Sequence, residues 1–152
     1  MATSEELEIA RRLFTEGWGG DHPDSPLQFM TEDVVMRDVV GHPEAMRGHQ
    51  AVIDFWGDFA GRLRVPVEDL YSSENGVVVL WMAYGRIPDD ASENAGKWSC
   101  GEGMSRLEFK DGKVCLEVDY WHGSQGICDD WQEHFARRQA MPRRQRGAIT
   151  GA

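Results

Sequence analysis

Cysteine is scarce in this sequence. There are three, Cys100, Cys115 and Cys128, an odd number with no Cys-x-x-C pair and no histidine at metal-ligand spacing. That argues against a disulfide framework and against zinc, so free buried thiols and no metal are expected. Long apolar runs are missing too. Nothing approaches the roughly 18 residues of a membrane span, and the opening "MATSEELEIARR" lacks a signal peptide's apolar stretch, so a cytoplasmic protein without membrane contact is expected. Positive charge is sparse except at one end. Lys and Arg number 16 against 26 Asp and Glu, and five arginines lie in the last sixteen residues, which hold no acid. The remainder carries 11 basic and 26 acidic residues, a formal −15, and should repel nucleic acid and anionic membranes. The tail "RRQAMPRRQRGAITGA" has no apolar period and reads as a disordered basic end, residues 137–152, more readily than as a binding arm. Without internal repeats, residues 1–136 form one domain, long enough to bury about two-thirds of its unfolded surface.

What is present is organised as helices first and strands later. Thr3 followed by Glu6 fits a capping box, and Leu7, Ala10, Leu13, Phe14 and Trp18 recur at helical spacing until "GWGGD". Pro26 suits the first turn of a short helix in "SPLQFM". A third helix begins near Gly48, with Val52, Phe55, Trp56, Phe59 and Leu63 as its apolar stripe. Then come four strand-like runs, "RVPVEDLYS", "GVVVLWMAYGRI", "KWSCGEGMSRLEF" and "KVCLEVDYWHG", the last two joined by "KDG" as a hairpin. "ICDDWQEHFARRQ" reads as a short closing helix. The order describes an α+β domain whose curved antiparallel sheet wraps the helices on one side and leaves a pocket between them.

One strand breaks its own pattern. In "TEDVVMRDVVG" the strand period puts Asp38 on one face with Val34, Met36 and Val40. Asp is depleted in strands, and a carboxylate among apolar neighbours needs a hydrogen bond, a counter-charge or a water-accessible cavity. Asp38 is therefore either a strand-end residue turning into the loop or a carboxylate held in an apolar pocket for proton transfer.

"FMTEDVVMRDVVGHPEAMRGHQAVIDFW" and the closing "GKVCLEVDYWHG", in this element order, resemble the nuclear transport factor 2-like superfamily in its SnoaL-like and ketosteroid isomerase-like branch, over about residues 5 to 128. The resemblance implies a cone-shaped, cystatin-like α+β barrel, commonly a homodimer. It matches Asp38 to the carboxylate that shuttles a proton in the isomerases, an example used in teaching tuned carboxylates. It matches Asp119, in "DYW", to a catalytic Asp of limonene-type epoxide hydrolases, and it offers Glu68 and Asp69 as the second acid used by polyether epoxide hydrolases. In that geometry Asp119 and Trp121 face the cavity of Asp38, whereas Leu116, Val118 and Tyr120 pack against a dimer partner. Hydropathy alone would instead leave Asp119 as a solvated surface acid.

Two carboxylates in one dry pocket suit acid/base chemistry, because burial and mutual repulsion separate their pKa values. Proton abstraction beside a carbonyl, aldol cyclisation and water attack on an epoxide all fit, and none needs a cofactor. Trp18, Trp56, Phe59, Trp81, Tyr84, Trp98 and Trp121 supply aromatic area for a small apolar or aromatic ligand, with about three of the seven expected to touch it. Phe14 and Met36 are further candidate contacts. Ser105 belongs to a small-residue strand face, Ser99, Gly101, Gly103 and Ser105, that would widen the cavity, and His122 sits at its rim. The expected activity is isomerisation or cyclisation of a polyketide- or terpenoid-like substrate in secondary metabolism. Epoxide hydrolysis by Asp38 with Asp119 or Glu68, and a non-catalytic ligand-binding or scaffold role, are the alternatives.

Overall fold

The structure is a computed structural model and describes residues 1–90, 92–123 and 126–148. Helix α1, Ser4–Arg12, starts at the expected capping box: Thr3 Oγ1 accepts from Glu6 N–H at 3.1 Å while the Glu6 carboxylate accepts from Thr3 N–H at 2.8 Å. The run widens into a π-helical turn, Leu13–Trp18, which buries Leu13, Phe14 and Trp18 together. A 3₁₀ turn, Ser25–Phe29, leads into β1, Met30–Asp38. After the short β2, Met46–Arg47, helix α2 spans Gly48–Trp56. It is shorter than the apolar stripe implies. Gly57 ends it and Gly61 adopts a left-handed φ of +79°, so Phe59 lies in the following turns and Leu63 in β3, Leu63–Arg64.

The long strands follow as β4, Val67–Ser73, β5, Gly76–Arg86, β6, Trp98–Lys110, and β7, Lys113–His122. "KDG" makes the β6–β7 turn with Asp111 and Gly112 both at positive φ, the backbone of a tight hairpin. The two-residue β8, Ile127–Cys128, precedes α3, Trp131–Ala140. The sheet runs β2-β1-β7-β6-β5-β3, with β4 on β5 and β8 on β6. It is curved and unclosed, and it is not wholly antiparallel: β1 pairs β7 in parallel. Strands β5, β6 and β7 form a meander, whereas β1 reaches β7 from the helical segment and runs in its direction.

Side-chain parity then separates two cores. The inner face carries Met36, Val77, Val79 and Leu107 against Phe14, Trp18, Val52 and Trp56. On the opposite face α3 covers Met82, Tyr84, Cys100 and Cys128. All three cysteines are free, as expected.

The expected disordered tail is anchored instead. Helix α3 crosses the proposed boundary at 136, and Arg138 is buried, reaching Glu68 at 2.5 Å, Glu102 at 2.6 Å and the carbonyl of Arg146 at 2.9 Å. Arg143 pairs with Asp69 at 2.8 Å. A 3₁₀ turn, Arg143–Ala148, closes the described chain, and residues 149–152 of the expected tail lie outside it. The tail carries no apolar period because charge holds it, through acids about 70 residues earlier. No helix among the described residues is long and apolar enough to cross a membrane.

Candidate active site

Strand register sets a row of polar groups into an apolar wall. Asp38 on β1 is opposite Asp119 on β7, and Asp119 is opposite Ser105 on β6. One row further down, Met36 faces Glu117; one row up, Gly103 lies between Trp81 and Trp121. Gly103 is glycine because the Trp81 ring occupies the space a Cβ would need. These rows form one side of a cavity of about 500 Å³.

Asp38 is 6% exposed and does two things at once. Its Oδ1 accepts from Val40 N–H at 3.1 Å, Gly41 N–H at 2.8 Å and Trp121 Nε1–H at 2.7 Å. Gly41 must come this close: a Cβ there would sit 2.6 Å from Oδ2. The carboxylate thus caps the turn after β1, the strand-end reading, and still lines the cavity. Oδ2 takes no hydrogen bond from the described residues.

Asp119 lies inward, so the surface-acid reading fails. Its Oδ1 accepts from Ser105 Oγ at 2.5 Å, and Ser105 Oγ accepts from Trp81 Nε1 at 2.8 Å. Below it is a carboxyl that the sequence reading left out of the site. Glu117 is wholly buried; its Oε1 accepts from Trp18 Nε1 at 2.8 Å, and Oε2 meets no N–H or O–H donor among the described residues. Glu117 and Asp119 are neighbours on one face of β7, and two carboxyls can share a hydrogen bond only if one keeps its proton. Burial, and then the negative charge of Asp119, push Glu117 well above the usual carboxylate range, so Glu117 is the donor. Burial pushes Asp119 up as well, to about 7, with the charge of Asp38 adding to the rise and the bonds from Ser105 and Glu117 opposing it. The signal for Glu117 was in the sequence: it shares a strand face with Asp119 and Trp121.

Of the expected contacts, Phe14, Trp18, Met36, Trp56, Phe59, Trp121 and His122 line the cavity with Asp38 and Asp119. Phe59, Trp121 and His122 are exposed at its mouth. Two do not line it. Tyr84 has the opposite parity to Trp81 and is buried under α3, its OH 2.8 Å from His134 Nδ1. Ser105 lies wholly buried beneath Asp119 and acts on the carboxyl, not on the space. Five of the seven aromatics named from the sequence line the cavity, and Tyr84 and Trp98 stay out. Glu68 does not join Asp38; it is held by Arg138 on the other side of the sheet. No group of three His, Cys, Asp or Glu among the described residues could hold a metal ion.

No protein of curated function matches the sequence. Among solved structures, a protein assigned as a SnoaL-like polyketide cyclase from Jannaschia sp. CCS1 aligns over 91% of this chain and 94% of its own, at 23% identity and a TM-score of 0.62. An LEH-like epoxide hydrolase from M. tuberculosis aligns over 79% and 84%, at 17% identity and a TM-score of 0.61. A ketosteroid isomerase-like fold from Catenulispora acidiphila DSM 44928 aligns over 78% and 86%, at 15% identity and a TM-score of 0.60. At such identity these likenesses concern the fold. The family model for the SnoaL-like domain matches residues 10–117, from the end of α1 to Glu117, and the chain belongs to the SnoaL-like family.

Proposed function

We propose that the protein is a cofactor-independent, cytoplasmic acid/base enzyme of secondary metabolism that isomerises or cyclises a bulky polyketide- or terpenoid-like substrate. The observation behind this reading is the Asp38–Asp119 pair in one aromatic-lined cavity, with one carboxyl held by three N–H groups and the other pushed up by burial to about 7. Asp38 Oδ2 takes a proton from carbon next to a substrate carbonyl. The C–H electron pair moves into the new C=C bond, and Asp119 gives its proton to the carbonyl oxygen. The enol then either regains a proton at a second carbon, which is isomerisation, or attacks a second carbonyl, which is aldol cyclisation. A positioned acid or base of this kind is worth about 10²–10⁴ in rate. Trp81, through Ser105, and Trp18, through Glu117, keep Asp119 in place.

Epoxide hydrolysis is the second reading, favoured by the likeness to the LEH-like fold. There Asp38 would activate water and Asp119 would protonate the epoxide oxygen. We further propose a homodimer through the outer face of β6 and β7, where Met104 and Tyr120 are exposed; of the residues expected there, Val118 is already buried within the chain and Leu116 is half-buried.

The test is a panel of enolisable cyclic ketones and of epoxides, incubated with the protein in D₂O or in oxygen-18 water. Deuterium uptake beside the carbonyl that is lost in Asp38→Asn supports the isomerase or cyclase. Solvent oxygen in a diol product turns the assignment to hydrolysis. Saturable binding without either reaction would leave a ligand-binding protein.

A further inference from the structure

The cavity has an electronic character that its apolar surface conceals. Four tryptophans line it, Trp18, Trp56, Trp81 and Trp121, and none offers its N–H to a ligand. Trp18 donates to Glu117, Trp81 to Ser105 and Trp121 to Asp38, while Trp56 Nε1 is fully buried with no partner among the described residues. What remains for a ligand is ring surface. Trp18 and Trp56 meet edge-on at 5.0 Å between centroids, and Phe59 follows Trp56 at 5.9 Å, so the rings form a continuous wall.

Permanent positive charge is missing from the wall: among the described residues lining the cavity there is no Lys or Arg, and its titratable groups include two carboxyls, Asp38 and Asp119, and two imidazoles, His42 and His122. A third acid at its border, Glu102, is turned to Arg138. Asp38 is more than nine-tenths buried, and its Oδ2 takes no bond from the described residues, so a desolvated acceptor points into the space. Tryptophan faces and carboxylate oxygens are both electron-rich, and both attract a weakly hydrated cation, tryptophan best among the rings. The negative body of the chain draws such a molecule in and repels anions.

We infer that the ligand of this cavity carries a positive centre: an apolar or aromatic skeleton bearing a protonated or quaternary amine, seated against the Trp18–Trp56–Phe59 wall with its charge towards Asp38. The inference rests on the cavity being the ligand site proposed above and narrows the substrate class to organic cations. It does not depend on which reaction follows.

The test compares two probes of one shape with the whole protein near neutral pH, by calorimetry and tryptophan fluorescence: benzyltrimethylammonium, and neopentylbenzene, in which carbon replaces the nitrogen. The cation should bind at least about tenfold tighter. In Asp38→Asn that preference should shrink at least about threefold, with the affinity for neopentylbenzene unchanged. Equal or tighter binding of neopentylbenzene overturns the inference, and leaves the acid/base reading to the deuterium experiment. No saturation by the cation up to about 10 mM overturns it as well, since a site built for cations should exceed that affinity. A preference undiminished in Asp38→Asn would remove the carboxylate from the account.

Discussion

Replacing Asp38 separates its two duties. From its apolar strand neighbours alone, Asp38→Asn should leave stability unchanged or raise it, because a buried charge disappears. The three N–H groups on Oδ1 reverse that sign. Asn keeps an oxygen where Oδ1 stands, so all three bonds survive, but as neutral bonds of about half the strength; the loss should be about 1–2 kcal/mol. Asp38→Ala removes the acceptor. The two backbone N–H groups can turn to water, but the Trp121 N–H also loses the one partner it has among the described residues, and the loss should be about 3 kcal/mol. For a chain of this length those losses lower Tm by about 5 °C and 10 °C. Turnover should follow a different order: Asn, with the fold intact, should already lose about 10² or more, because an amide takes no proton from carbon. Thermal melts and deuterium-exchange rates on the two variants are the assay. An Asp38→Asn protein that exchanges its substrate at the wild-type rate would reduce Asp38 to a turn cap. An Asp38→Ala protein that melts with the wild type would refute the hydrogen-bond arithmetic.

Asp119, raised from an ordinary 3.8 to about 7, contributes stability that is complete below about pH 4 and lost as pH rises through about 7, a swing of about 4 kcal/mol. Asp119→Asn lacks the swing, so its urea-unfolding free energy should gain on the wild type by about that amount from pH 4 to 8; parallel curves would reject the buried acid. Arg138→Met removes the buried partner shared by Glu68 and Glu102, leaves Glu68 with Arg146 at 3.7 Å, and should cost about 3 kcal/mol in denaturant melts, whereas a loss below about 1 kcal/mol would mark a surface pair. Sedimentation at micromolar concentration should find a dimer that Tyr120→Lys dissociates, and a wild-type monomer would contradict the proposed interface.

The elements with local signals were legible. The capping box of α1, the positive-φ hairpin at "KDG" and the strand alternation around Asp38 each rest on a few neighbouring residues, and each stands in the structure. The closing strand shows what local reasoning misses. Hydropathy would turn Cys115, Glu117, Asp119 and Trp121 to water, but partners 14 to 99 residues away, Ser105, Asp38 and Trp18, hold the last three on the cavity side. Tyr84 was misplaced because an aromatic says nothing of its face until the parity of β5 is fixed against Trp81, and α3 then supplies a second core on the outer side. The tail was misread because a charge-anchored segment carries no hydrophobic period; its partners Glu68, Asp69 and Glu102 lie far back in the chain.

The proposed chemistry needs a carboxyl group, Asp119, that keeps its proton towards neutral pH beside Asp38. Carboxyl carbon-13 NMR on aspartate-labelled protein reads this directly, with the Asp119 resonance assigned by its absence in Asp119→Asn. The account predicts that this resonance moves with a midpoint near pH 7. A resonance that has finished titrating below about pH 5, as for an aspartate in water, would contradict it.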